Sequence, residues 1–213
     1  ICENNSIVFV EDDCEFTDMI PVNLNSVAGS PDGTGIYTDR SILAASNCTI
    51  SNSLIGISTN NSWILNLSDN TIQNDRAGIH DRFSYGPGTI VNNHINEYGE
   101  QGIRIDNPSN GIFFSINDNT FTNQNAQSSS QMEAAAIFLD NVRSLQALIP
   151  SQLVHNIIAQ RSSHKGIFAR NCDNIAAQIN EVHYNGFDLY GNSGIELQNV
   201  ENSAFYSNTV DGQ

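Results

Sequence analysis

Lysine occurs once in this chain, at Lys165, and Lys and Arg together number 8 against 23 acidic residues, for a formal net charge of −15. That scarcity excludes a nucleic-acid binder, which must neutralise phosphates with cations. It equally excludes attraction to an anionic membrane surface. No apolar run reaches the roughly 20 residues that a membrane-spanning helix needs, so membrane insertion is not expected. Phosphate-loop, dinucleotide-glycine and nucleophile-elbow motifs are all missing. The histidines (His80, His94, His155, His164 and His183) are scattered, with no paired metal-ligand spacing. No segment carries a heptad or a helical period.

What the chain has instead is repetition. Leu67-Ser68-Asp69-Asn70-Thr71-Ile72 reads as apolar, two free positions, Asn, one free position, apolar. The same pattern returns from Ile90 around Asn93, from Ile116 around Asn119, from Leu153 around Asn156, from Ala177 around Asn180 and from Phe205 around Asn208. Ala45 to Ile50 fits with Cys48 in the Asn slot. Successive copies step by 22, 23, 26, 37, 24 and 28 residues, the signature of stacked repeats. Between copies, Gly35-Ile36, Gly56-Ile57, Gly78-Ile79, Gly102-Ile103, Gly166-Ile167 and Gly194-Ile195 each open a short alternating segment, and Ala136-Ile137 fills the place in the fourth interval. Period-two alternation predicts strands, and the Asn, Gly and Ser between them predict turns. One repeat cannot bury its own apolar face, so the Ile and Leu positions are expected to form columns inside a stack.

The Gly-Ile segment followed by apolar-x-x-Asn-x-apolar, at a step near 22, resembles the right-handed parallel β-helix repeats. Pectate lyases, polygalacturonases, mannuronan C-5 epimerases, phage tailspikes and autotransporter passengers carry such repeats. The resemblance implies an all-β, right-handed parallel β-helix of about seven rungs over residues 35–213, with residues 1–34 as an N-terminal cap or lead-in. It is specific for fold and leaves function open, because the superfamily holds enzymes and adhesins. In such folds an Asn at the tight turn tolerates the left-handed backbone region and bonds to its stacked neighbours.

Four cysteines bear on the stack. Cys2 and Cys14 flank the apolar Ile7 to Val10 in an acidic segment, and a Cys2–Cys14 disulfide would hold an end cap in an oxidising compartment. Cys48 and Cys172 fall about five rungs apart. At about 4.8 Å per rung they exceed the reach of a disulfide, so both are expected as small buried side chains.

Longer connections interrupt the compact rungs at 123–134 and 183–192, on one edge, and at 143–151 on another. Loops that grow on one edge of a solenoid commonly build its binding face. The connection between the first two brings Arg161, His164 and Lys165 to the floor of a groove, and the wall His183 to Tyr190 contributes Tyr184, Asp188 and Tyr190. Cations that pair carboxylates beside rings that stack on sugars suit an acidic polysaccharide. Tyr184-Asn185-Gly186-Phe187-Asp188 is also similar to the Tyr-Gly-Phe-Asp-Pro-His motif of the C-5 epimerases, with an Asn inserted and Leu189-Tyr190 in place of Pro-His. The polygalacturonase segments are missing. Calcium would need stacked acids, for which Asp81, Asp106 and Asp140 form a candidate column without a base beside it; no cofactor is otherwise indicated.

The sequence thus points to an extracellular or cell-surface module, part of a longer chain, whose partner is a glycan or a host or cell-surface receptor. A lyase or epimerase on acidic polysaccharide is the alternative, and a stalk without ligand the third.

Overall fold

The computed structural model describes residues 2–3, 6–18, 33–73, 76–109, 112–122, 133–143, 150–160, 165–184 and 194–212. These residues form three parallel sheets of eight strands each, and every turn of the chain adds one strand to each sheet. Sheet A runs from Cys2–Glu3 to Ile195–Gln198, sheet B from Ile7–Val10 to Ala204–Tyr206, and sheet C from Glu15–Thr17 to Thr209–Gly212. The stack therefore has eight rungs. The extra one comes from the expected lead-in: residues 2–17 supply a complete rung, because Val8, Val10 and Phe16 pack against the core. Residues 19–32 of that lead-in lie outside the described residues.

The register follows the two sequence patterns. Ile36, Ile57, Ile79, Ile103, Ile137 and Ile167 align down sheet A and point inward. Leu67, Ile90, Ile116 and Leu153 do so in sheet B, and Ile50, Ile72, Ile95, Phe121 and Ile158 in sheet C. All but Ile36 are fully buried, and each buried side chain stabilises the stack by roughly 1.5–3 kcal/mol. The Gly of Gly-Ile is there for space. A methyl on Gly35 would lie 2.6 Å from Ile50 Cγ2 and 2.7 Å from the Gly56 carbonyl oxygen, so the bare backbone lets sheet C side chains reach sheet A.

Between sheets B and C the repeating Asn forms an internal ladder. Asn93 Nδ2 donates to the Leu67 carbonyl at 3.0 Å and to Asn119 Oδ1 at 3.0 Å, while its Oδ1 accepts from the Asn70 amide at 3.1 Å. The pattern continues through Asn156, Asn180 and Asn208. The left-handed residue of the turn is the one before the ladder Asn: Asn47, Asp69, Asn92, Asp118, His155, Ile179 and Ser207 have φ between 54° and 59°. The Asn is thus selected for its amide, and its neighbour takes the backbone conformation. A second left-handed column, at Asn107, Asn141, Asn171 and Asn199, turns sheet A into sheet B.

Candidate functional site

Outward from sheet A, the residue after each Gly-Ile isoleucine forms the column Tyr37, Ser58, His80, Arg104, Phe138, Phe168, Glu196. Two residues on, a second column holds Asp106, Asp140 and Arg170. Together with Glu133 these make one connected network. His80 Nε2 lies 2.8 Å from Asp106 Oδ2, and Arg104 Nε donates to the same oxygen at 2.7 Å. Arg104 and Arg170 both reach Glu133, at 3.2 and 2.7 Å. Arg170 grips Asp140 with both oxygens engaged, at 2.6 and 3.1 Å, the bidentate fork that makes Arg–carboxylate pairs strong. Phe138 and Phe168 stack with centroids 4.8 Å apart, beneath Arg104, Arg170 and Lys165. Although the strands turn them away from the core, His80, Asp106, Phe138 and Phe168 are all buried.

Burial alone would raise the Asp106 carboxyl. The hydrogen bond to His80 and the adjacent Arg104 guanidinium outweigh it and hold the group below the ordinary carboxylate range. Its neighbour Asp81 behaves oppositely. Asp81 aligns with Ile105, one register position away from Asp106, and so points into the core. Fully buried, it accepts from Ser84 Oγ at 2.6 Å and from Thr59 Oγ1. Burial dominates and pushes its carboxyl up to about 7, against those two hydroxyl bonds. The expected acidic column of Asp81, Asp106 and Asp140 is therefore broken. Asp106 and Asp140 do stack, but each is neutralised by an arginine, and Asp81 faces the other way.

Sheet B presents the opposite chemistry. None of its eight strands contains a charged residue. Outward it offers Asn66, Thr89, Ser115 and Gln152 in one column and Ser68, Val91, Asn117, Val154 and Gln178 in the next. Asn66 bonds to Ser68 and Asn117 to Ser115 within the face. At its N-terminal end the side chains turn apolar. Ile7 and Phe9 are each 62% exposed, and a register shift between Leu43 and Ala44 extrudes Leu65, which is 42% exposed. A bulge of this kind re-aims a side chain.

Residues 2–148 match the family model described as the right handed beta helix region. The chain belongs to that family. Neither the curated proteins nor the solved structures hold a match to it.

Within this β-helix the predicted groove is only partly placed. Arg161, His164, Asp188 and Tyr190 lie outside the described residues. Lys165 opens a sheet A strand, with Nζ 3.2 Å from Glu196 Oε2 and 3.8 Å above the Phe168 ring. The cation is thus already matched by the chain's own acid. Tyr184 ends the sheet C strand Glu181–Tyr184, opposite Gln160 and Gly212. On that strand His183 lies 2.7 Å from Asp211 and 3.3 Å from Glu181, and these hydrogen bonds, Asp211's first, raise its pKa.

The expected Cys2–Cys14 disulfide would link two different parts of the first rung. Cys2 pairs with Thr38 in sheet A, whereas Cys14 sits at the corner between sheets B and C as a free thiol. Cys48 and Cys172 are buried free thiols, as expected. The last rungs of the β-helix also carry a cleft of about 260 Å³ at the corner leading into sheet B, lined by Arg143, Asn171, Cys172, Asp173, Asn199, Glu201 and Asn202. Its amides and acids suit a hydroxyl-rich ligand. The sheet A network went unread in the sequence, although its signal was available: the position after each Gly-Ile must face outward, and there His80, Arg104 and Phe138 succeed one another.

Proposed function

We propose that this β-helix is a recognition module, extracellular or displayed at a cell surface, that binds an uncharged glycan along the outer face of sheet B. The observation that supports it is the charge-free composition of that face in a chain of net charge −15. Hydroxyl and amide side chains recur there at the rung spacing, about 4.8 Å. A neutral polymer meets them without desolvating an ion. The exposed Phe9 and Leu65 at one end add apolar surface against which sugar rings pack. Catalysis on an acidic polymer is the weaker reading, because Arg104, Lys165 and Arg170 on sheet A are matched by carboxylates and His80 is buried.

The test is binding of the purified chain to immobilised neutral and uronate polysaccharides at low and high salt. Neutral polymer should be retained with little salt dependence, and Lys165→Ala should leave retention unchanged. Retention of uronate polymer alone, lost with salt and with Lys165→Ala, would move the site to the 159–190 groove. Retention of neither class would sink the glycan reading.

A further inference from the structure

We propose that Cys14 and Cys48 are a disulfide pair that fastens the first rung of the β-helix to the second. The argument begins with the Asn ladder. In register, its positions are Cys14, Cys48, Asn70, Asn93, Asn119, Asn156, Asn180 and Asn208. The first two rungs thus hold thiols where the other six hold amides. Cys48 keeps the geometry of the ladder. Its backbone amide donates to Asn70 Oδ1 at 3.0 Å. Its thiol lies 3.3 Å from the carbonyl two residues before it, Ser46, and 3.6 Å from the Val10 carbonyl of the preceding rung. Asn93 Nδ2 reaches the equivalent carbonyls, Val91 and Leu67, at 3.1 and 3.0 Å.

An amide at position 48 would be bonded to its stacked neighbour on each side. On the Asn70 side the backbone bond remains, but towards the first rung only two thiols face each other. Glu15 pairs with Thr49, and the Thr49 amide donates to the Cys14 carbonyl at 2.8 Å. Cys14 and Cys48 therefore occupy adjacent strands at the same position. Neighbouring strands lie about 4.8 Å apart, inside the Cα separation of roughly 4.4–6.8 Å that a disulfide accepts. Both side chains point into the same corner, where the Cys14 thiol lies beside that of Cys48.

The two thiols differ in access. Cys48 is 1% exposed, and burial, with Cys14 beside it, pushes its pKa up to about 11. Cys14 is only partly buried and donates to the Glu11 carbonyl at 3.2 Å. Cys14 is therefore the sulfur that meets the oxidant. As thiolate it attacks a small-molecule disulfide such as glutathione disulfide and displaces one thiol. The Cys48 sulfur, on losing its proton, then attacks the Cys14 sulfur of the mixed disulfide and displaces the second. Two protein thiols are oxidised, one external disulfide is reduced to two thiols, and one S–S bond joins the rungs.

The experiment uses the full chain, reduced and then equilibrated with glutathione disulfide. It is denatured, alkylated, cleaved at acidic residues so that Cys2 and Cys14 separate, and mapped by mass spectrometry. The expected result is a linked pair of peptides containing Cys14 and Cys48, with Cys172 alkylated. The thermal midpoint should rise by roughly 5–10 °C over the reduced protein, and Cys14→Ser should remove both the link and the rise. Complete alkylation of Cys14 and Cys48 after oxidation, or a Cys2–Cys14 link, would overturn the proposal. The wild-type map decides this even if the variant fails to fold.

Discussion

Sheets A and B are built on the same plan and dress their outer faces in opposite ways. Each has eight parallel strands and an inward column of Ile and Leu fixed by the same repeat. Outward, sheet A concentrates four of the eight cations in the chain, Arg82, Arg104, Lys165 and Arg170. Arg104, Lys165 and Arg170 each contact an acid there. Sheet B carries no charge at all in its strands. In a molecule this acidic, the scarce cations sit where carboxylates are crowded and partly desolvated. What remains uncharged is therefore a surface, and the charged surface is closer to a second interior. Sheet A's outer face holds the structure together, and sheet B's is the one proposed for recognition.

Removing a charge from sheet A should cost the most. Asp106→Ala leaves Arg104 and the buried His80 without their shared acceptor. Breaking one side of a buried ion pair typically destabilises by about 3–5 kcal/mol. Urea denaturation should show a loss of this size, and a loss below about 1 kcal/mol would mean that the network is decorative. Asp81→Asn sharpens the contrast from inside the same sheet. Burial pushes its carboxyl up to about 7 in the folded chain, against an ordinary value of 3.8. The folded state therefore binds the proton more tightly, and stability is full below about pH 4 and falls as pH rises towards 7. The amide keeps both hydroxyl partners without ionising. The variant should be more stable than wild type by roughly 4 kcal/mol at pH 8 and about equal to it at pH 4. Parallel pH profiles of the two proteins would refute the assignment.

The repeat makes the fold legible in the sequence alone. The Gly-Ile and Asn columns align in the structure as the spacing required, because a solenoid converts sequence period directly into register. The eighth rung escaped notice because Val10-Glu11-Asp12-Asp13-Cys14 has one residue more than the other copies and no Asn. The site was less legible. Asp81 and Asp106 looked equivalent in sequence, yet one register position separates core from surface when side chains alternate. The charge-free face was also present in the sequence, but it becomes visible only when strands 22 to 37 residues apart are laid side by side.

Adding a charge to sheet B is the smallest perturbation by stability and the most telling by function. Thr89 and Gln152 are half-buried, face outward and lie two rungs apart in one column. Thr89→Asp with Gln152→Glu adds two charges to a surface that water already reaches, so stability should change by about 0.5 kcal/mol or less per site. If the face recognises an uncharged glycan, the double variant must strip water from two carboxylates on binding. Retention on neutral polysaccharide should then fall at least tenfold, a difference of about 1.4 kcal/mol. Unchanged retention beside an unchanged unfolding midpoint would show that the face is merely uncharged and that recognition lies elsewhere on the stack.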